Sequence, residues 1–227
     1  MLSLIDNLQR YIMNNTENLD PNNMYRFAIE LTVGSKNKEA VKFGLGIFEL
    51  FSDYNDALLQ AILDIALCDE FTLYCIWAVR KLENGNDIIF DIAKKTHGWG
   101  RIHAVDALKA ESDEIKEWLL NYGWMNDVLP QYSAAVCFEG AGVEEMLENG
   151  LTQEQFTPVG NIISYLINEG PVVGISGFEN ADEIINNYLD NAEKLDRTEN
   201  DNQIIEDISE HYNNEEIKAR CLELLKK

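Results

Sequence analysis

The sequence predicts an all-α fold: an α-solenoid of stacked antiparallel helical hairpins closed by helical caps. Three observations predict it. Apolar residues recur three and four positions apart through most of the chain, which is the period of one helical face. Alternating Val/Thr/Tyr runs joined by Asn-Gly turns, the mark of hairpin strands, are almost absent. Short echoes also return after about 31 positions, within the period of helical repeats.

Taken in order, the stretch 1–36 reads as two amphipathic capping helices. One has Leu4, Ile5, Leu8 and Ile12 on a face and the other Met24, Phe27 and Leu31, with the Asn/Asp/Pro turn from Asn18 to Asn22 between them. Repeat arrays need such caps because an end repeat otherwise leaves its core face open. The array itself spans 37–150. Its first hairpin carries Val41, Gly44, Leu45, Phe48 and Phe51, turns at Ser52-Asp53-Tyr54-Asn55, and continues with Leu58, Leu59, Ile62, Leu63 and Ala66. The second has Phe71, Cys75, Ala78, Val79 and Leu82, a turn at Glu83-Asn84-Gly85, then Ile89, Ile92 and Ala93. A third pair is marked by Ala104, Val105 and Leu108, then Ile115, Leu119 and Tyr122; a fourth begins with the run from Tyr132 to Phe138 and finishes near Met146 and Leu147.

Two echoes tie the hairpins together. Asn55-Asp56-Ala57-Leu58-Leu59 returns as Asn86-Asp87-Ile88-Ile89-Phe90, with Asn-Asp placed where a helix cap belongs. His97-Gly98-Trp99 returns as Tyr122-Gly123-Trp124, where Gly would end a helix and Trp would cover the seam to the next repeat. Over 151–227 the spacing loosens into a helical extension packed on the array. It comprises a helix from Pro158 to Glu169, a Gly/Pro linker from Gly170 to Gly177, a helix from Asn180 to Leu195, and a polar hinge from Asp196 to Asn202. Two last helices follow, marked by Ile204, Ile205 and Ile208 and by Ile217, Cys221, Leu224 and Leu225.

Composition bounds the class. With 227 residues, 46% hydrophobic and 26% charged, the chain can bury a sizeable core, and 4 Pro and 14 Gly exclude collagen-like or Pro/Gly-rich disorder. Apolar runs never reach the ~20 positions of a membrane-spanning helix. Asp6 arrives too early for a signal-peptide core and no basic region precedes it, so the expectation is a cytoplasmic protein. Cys68, Cys75, Cys137 and Cys221 are widely spread, with no Cys-x-x-Cys pair, as expected of reduced core thiols rather than bridges or zinc ligands.

The charge is the unusual feature: 18 Lys and Arg against 40 Asp and Glu give −22 at neutral pH. That sign opposes binding to nucleic acid, whose affinity rests on cations neutralising phosphates, and to anionic membrane surfaces. No Lys or Arg lies between Lys116 and Lys194, whereas Glu144, Glu145, Glu148 and ten further acids do. Such a stretch is either a solvated acidic surface or one that steers and docks a basic partner.

The densest cluster of functional residue types is His97-Gly98-Trp99-Gly100-Arg101-Ile102-His103. As a site, Arg101 would act as a fork for a carboxylate or phosphate and His97 or His103 as a base or ligand. As structure, which is the preferred reading, the glycines allow a tight turn, Trp99 packs a seam and Arg101 bonds helix carbonyls or a nearby acid. The spacing of the two histidines does not put ligands on one helical face, so no metal is expected, and no cofactor either. Gly-x-Ser-x-Gly, Gly-x-Gly-x-x-Gly, the phosphate-cradling Gly-x-x-x-x-Gly-Lys-[Ser/Thr] and His-Glu-x-x-His are all missing.

Hairpins of this length, with Asp/Asn at their turns, resemble short HEAT-like repeats of the phycobilin-lyase type over Lys38 to Gly150. Asp69-Glu70-Phe71-Thr72-Leu73 together with Lys94 to His103 also resembles a group of uncharacterised bacterial HEAT-repeat proteins. The resemblance implies architecture; HEAT-like arrays serve as scaffolds, inhibitors, lyases and glycosylases. The function expected is a non-enzymatic protein-binding solenoid, most concretely a bacterial immunity or inhibitor protein that occludes a basic partner. Trp99, Arg101, His103, Trp124, Glu144, Glu145 and Glu148 are the candidate contact residues. The alternatives are an enzyme resembling the alkylpurine DNA glycosylases, which would use Lys38, Lys42, Arg80, Lys81, Lys94, Lys95 and Arg101 as a basic strip, a general scaffold, and a chromophore lyase.

Overall fold

The computed structural model describes residues 2–226. Among them lie fourteen α-helices and no strand, as the periodicity predicts. None of these helices is long and apolar enough to cross a membrane. The chain divides into two compact units, one ending at Leu108 and the other starting at Lys109. That boundary falls within the stretch 37–150 that the repeat reading treats as one array.

The first unit comprises α1 (Leu2–Asn14), α2 (Pro21–Gly34), α3 (Lys38–Phe48), α4 (Asp56–Ala66), α5 (Asp69–Val79), α6 (Gly85–Lys95) and α7 (Gly98–Ala107). Side chains fix several starts. Asp20 accepts from the Asn22 N–H with Pro21 at the first helical position, Asn37 accepts from Glu39 and Ala40, and Asn55 accepts from Leu58. The Asn55 cap is as predicted, but its echo is not: Asn86 lies inside α6, which already begins at Gly85. The chain turns tightly there, since a Cβ on Gly85 would stand 2.6 Å from the Val79 carbonyl oxygen. α5 packs against both α3 and α7, with α4 against α5 and α6 against α7. Leu45, Phe48, Ile62, Ile76, Val79, Ile92 and Val105 are buried.

The capping helices bury only part of the apolar faces that the sequence suggests. Ile5 and Ile12 are buried, but Leu4 is 54% exposed; on α2 it is Ala28 and Thr32 that are buried, while Phe27 is 53% exposed. The reason is close approach. A Cβ on Gly44 would lie 2.3 Å from Thr32 Oγ1 and 2.8 Å from the Ala28 carbonyl oxygen, and one on Gly46 would lie 2.6 Å from Ile5 Cγ2. Helices that come this near need small side chains at the crossing, so the large ones turn outward.

The second unit begins with α8 (Asp113–Trp118), which runs on into a turn of π-helix over Leu119–Gly123. It continues with α9 (Gln131–Ala141), α10 (Val143–Asn149), α11 (Gln153–Ile167), α12 (Ala181–Ala192), α13 (Glu199–His211) and α14 (Glu215–Leu224). α11 packs against both α9 and α13, and α12 against both α10 and α14. α11 starts at Gln153, ahead of the Pro158 start that the sequence suggests, because Thr152 and Gln155 form a capping box. The buried face Phe156, Val159, Ile162, Ile163 and Leu166 carries the helix past the proline, whose missing N–H removes one bond near the N-terminus. Cys75, Cys137 and Cys221 are core residues as expected; Cys68, at the N-cap of α5, is exposed instead.

Candidate functional site

The cluster from His97 to His103 forms the start of a helix and not the end of one. α6 stops at Lys95 with Thr96 closing it, His97 is the N-cap of α7, and Gly98 takes φ +55°, so this glycine opens α7 where the sequence echo suggests termination. Asp69, the first residue of α5, accepts the Gly100 N–H at 3.3 Å, placing a carboxylate at the positive end of α7. A Cβ on Gly98 would meet Asp69 Oδ2 at 2.3 Å and one on Gly100 would meet Thr72 Oγ1 at 2.6 Å, so both glycines serve the α5–α7 contact.

Three sequence candidates share α7. Trp99 is 45% exposed rather than covering a seam, and its ring centroid lies 6.3 Å from that of His103. Arg101 is buried. Burial pushes the His103 imidazole below its ordinary pKa, against the opposing pull of Asp106 and Asp69, so the ring is neutral at pH 7. Among the described residues no group of three His, Cys, Asp or Glu is arranged to hold a metal ion.

The other four candidates belong to the second unit. Trp124 is buried; it donates its indole N–H to the Leu120 carbonyl at 3.1 Å and packs 5.1 Å from Tyr165, as a core residue. Glu144, Glu145 and Glu148 are all exposed on α10. Glu144 and Glu148 stand one turn apart on the same helix face. Glu144 also accepts a hydrogen bond from the Asn180 side chain, which ties α10 to the start of α12.

Charge is unevenly divided between the units. Ten Lys and Arg stand against fifteen Asp and Glu through Leu108, and eight against twenty-five from Lys109. In the first unit carboxylates take up cations. The buried Lys42 bonds Glu70 and Glu39, Lys38 reaches Glu70 at 3.3 Å, Arg80 pairs with Glu49, and Lys94 reaches Asp91 at 3.1 Å. The hydrogen bond to Glu70 raises the Lys42 pKa although burial opposes it, and the same bond lowers the Glu70 carboxyl. In the second unit Arg220 bonds Asp190 and Glu193, and Arg197 donates to the Leu224 carbonyl at 2.9 Å. Both of these arginines lie beyond Lys194 in the chain.

Comparison with protein-family models, curated proteins and solved structures gives no match. What this site can do rests on its own geometry and charge.

Sequence spacing left out Gln131, Glu169, His211 and Tyr212, which line one cleft of the second unit. The stretch from Gly170 to Gly177 reads as a linker, yet Glu169 accepts the Gly174 N–H at 3.1 Å and the Ser176 N–H at 2.6 Å and folds it back on α11. A carboxylate standing directly before a Gly/Pro-rich stretch of backbone donors is the available signal.

Proposed function

We propose that the protein acts without catalysis, as an α-solenoid whose acidic face docks a basic protein and blocks it by occlusion, in the manner of a bacterial immunity or inhibitor protein. The observation that carries this reading is the coincidence of a cation-free stretch from Glu117 to Glu193 with the outward carboxylates Glu144, Glu145 and Glu148. A field of one sign speeds encounter with, and orients, a partner of the other. The contacts of α5 with α3 and α7, and of α11 with α9 and α13, support stacked repeats within each unit. A glycosylase-like reading needs a basic groove for phosphates; Lys38, Lys42, Arg80 and Lys94 are instead engaged by carboxylates.

The test is affinity capture of the tagged chain from its native cells at low and high salt, alongside the variant carrying Glu144→Lys, Glu145→Lys and Glu148→Lys. A stoichiometric basic protein, held at low salt, released at high salt and lost with the variant, is the expected result. Retention of nucleic acid, or capture indifferent to both salt and charge reversal, overturns the reading.

A further inference from the structure

The cleft left out by sequence spacing has a volume of about 680 Å³ and lies between the ends of four helices of the second unit. Ile167 to Gly170 bring the end of α11 to it, His211 to Asn213 the end of α13, Gln131 the start of α9, and Ala181 the start of α12. Two helix C-termini and two N-termini therefore meet, their dipoles offset, and side chains set the sign of the potential. No Lys or Arg lines the cleft. Glu169 is held there as a carboxylate: its bonds from Ser176 and Gly174 stabilise the charged form and lower its pKa. Asp182 stands behind the rim, accepting the Tyr212 hydroxyl at 2.6 Å. The loop is pressed firmly against α11, since a Cβ on Gly174 would lie 2.1 Å from the Leu166 carbonyl oxygen.

Two further observations indicate what the cleft takes. The Gln131 Oε1 atom, on a residue of its lining, is buried and accepts no hydrogen bond, and a buried acceptor left unmet is destabilising. The cleft also adjoins the acidic face: Glu144 of α10 bonds Asn180, the residue immediately before the lining residue Ala181. Resting on the docking reading above, we propose that this cleft is the socket for an arginine side chain of the basic partner. Its planar guanidinium presents several donors at once, matching the Glu169 carboxylate and, once the Gln131 side chain turns its buried oxygen toward the cleft, a neutral amide oxygen that a single-point ammonium would satisfy less completely. Docking against Glu144, Glu145 and Glu148 would bring such a side chain to the cleft mouth.

The test uses the full chain and a probe independent of the partner: Nα-acetyl-arginine methylamide, titrated against amide NMR shifts, with the citrulline analogue as its neutral isostere. Saturable shifts at residues 168–176 and 211–213, seen with arginine and not with citrulline, are expected. Glu169→Gln should weaken them about tenfold or more, the loss of a charge-assisted bond. Because Glu169 also holds its loop, Gln131→Met provides a second variant that removes the buried acceptor and leaves the loop bonds alone; it should weaken binding too, while Glu223→Gln, at an exposed carboxylate of α14, should not. Equal response to citrulline, or shifts spread along α10 with none at the cleft, overturns the socket. The two readings fail separately. A silent cleft beside salt-sensitive partner capture removes the socket alone, whereas a cleft that binds arginine in a chain that captures no basic protein removes the partner.

Discussion

The unit ending at Leu108 has ten Lys and Arg for fifteen Asp and Glu and sets several of them in ion pairs; the unit starting at Lys109 has only eight for twenty-five. Seventeen of the twenty-two excess negative charges belong to the second. In the first, Glu70 serves Lys38 and Lys42 together, and the nearly buried Glu49 takes Arg80 and the Gln9 side chain. In the second, Glu144, Glu145 and Glu148 are exposed on a helix whose chain neighbourhood contains no Lys or Arg. The same residue types are internal structure in one place and an external field in the other. Overall net charge does not separate these uses; the local supply of cations does.

The sharpest way to break the comparison is to reverse charge in each unit in turn. Glu144→Lys with Glu145→Lys and Glu148→Lys should weaken capture of the basic partner about a hundredfold or more, since like charges then face each other across the interface. An equal reversal at the exposed Asp53, Asp64 and Glu83 should change it by no more than about threefold, the long-range share alone. Equal effects, read by titration calorimetry, would mean that only total charge matters.

A smaller effect distinguishes the packing of the first unit from its open positions. Gly100→Ala places a methyl against Thr72 and Asp69 at the α5–α7 contact and should cost about 1–3 kcal/mol in denaturant unfolding. Gly34→Ala, with no atom within 4 Å of its Cβ, should instead stabilise by about 0.4–1 kcal/mol. Asp69→Ala, which removes the carboxylate from the start of α7, should cost about 1 kcal/mol.

The smallest expected effects are those of pH; stability falls on acidification in both units, but over different ranges. Glu169 has its carboxyl lowered by hydrogen bonds from Ser176 and Gly174, so its contribution is complete above the ordinary value of 4.5 and is lost as pH falls through its lower folded value. Hydrogen-exchange protection of the Gly174 and Ser176 amides should fall over that acid range, and Glu169→Gln should remove the dependence. His103 in the first unit works differently. Burial lowers the pKa of this base, so stability begins to fall as pH drops through the ordinary 6.5 and stops falling below the folded value. His103→Gln should flatten the stability profile in that window.

The sequence was most legible where a single local rule governs. Asn55 caps α4 because its short side chain reaches the Leu58 N–H, and the broad apolar stripes of α4, α6 and α12 become buried faces. It misled where two helices approach closely. Nothing in the run Met24, Phe27, Leu31 signals that Gly44 admits Ala28 and Thr32 in their place, because that preference belongs to the partner helix. Pro158 similarly suggests a start, and the Thr152–Gln155 box together with tertiary burial overrides it. For the candidate site, the acidic stretch was visible as composition, whereas the cleft was not. Gln131, Glu169 and His211 stand far apart in sequence and meet through the packing of helix ends, which no periodicity encodes.

The exposed Cys68 has a practical consequence. Cys75, Cys137 and Cys221 are buried, and burial pushes the Cys75 thiol well up and that of Cys221 to about 11. One thiol in four therefore meets a maleimide at neutral pH ahead of the others. A single fluorophore attached there would give the unaltered chain an anisotropy readout for titrating candidate partners, carried by the unit with the smaller net charge.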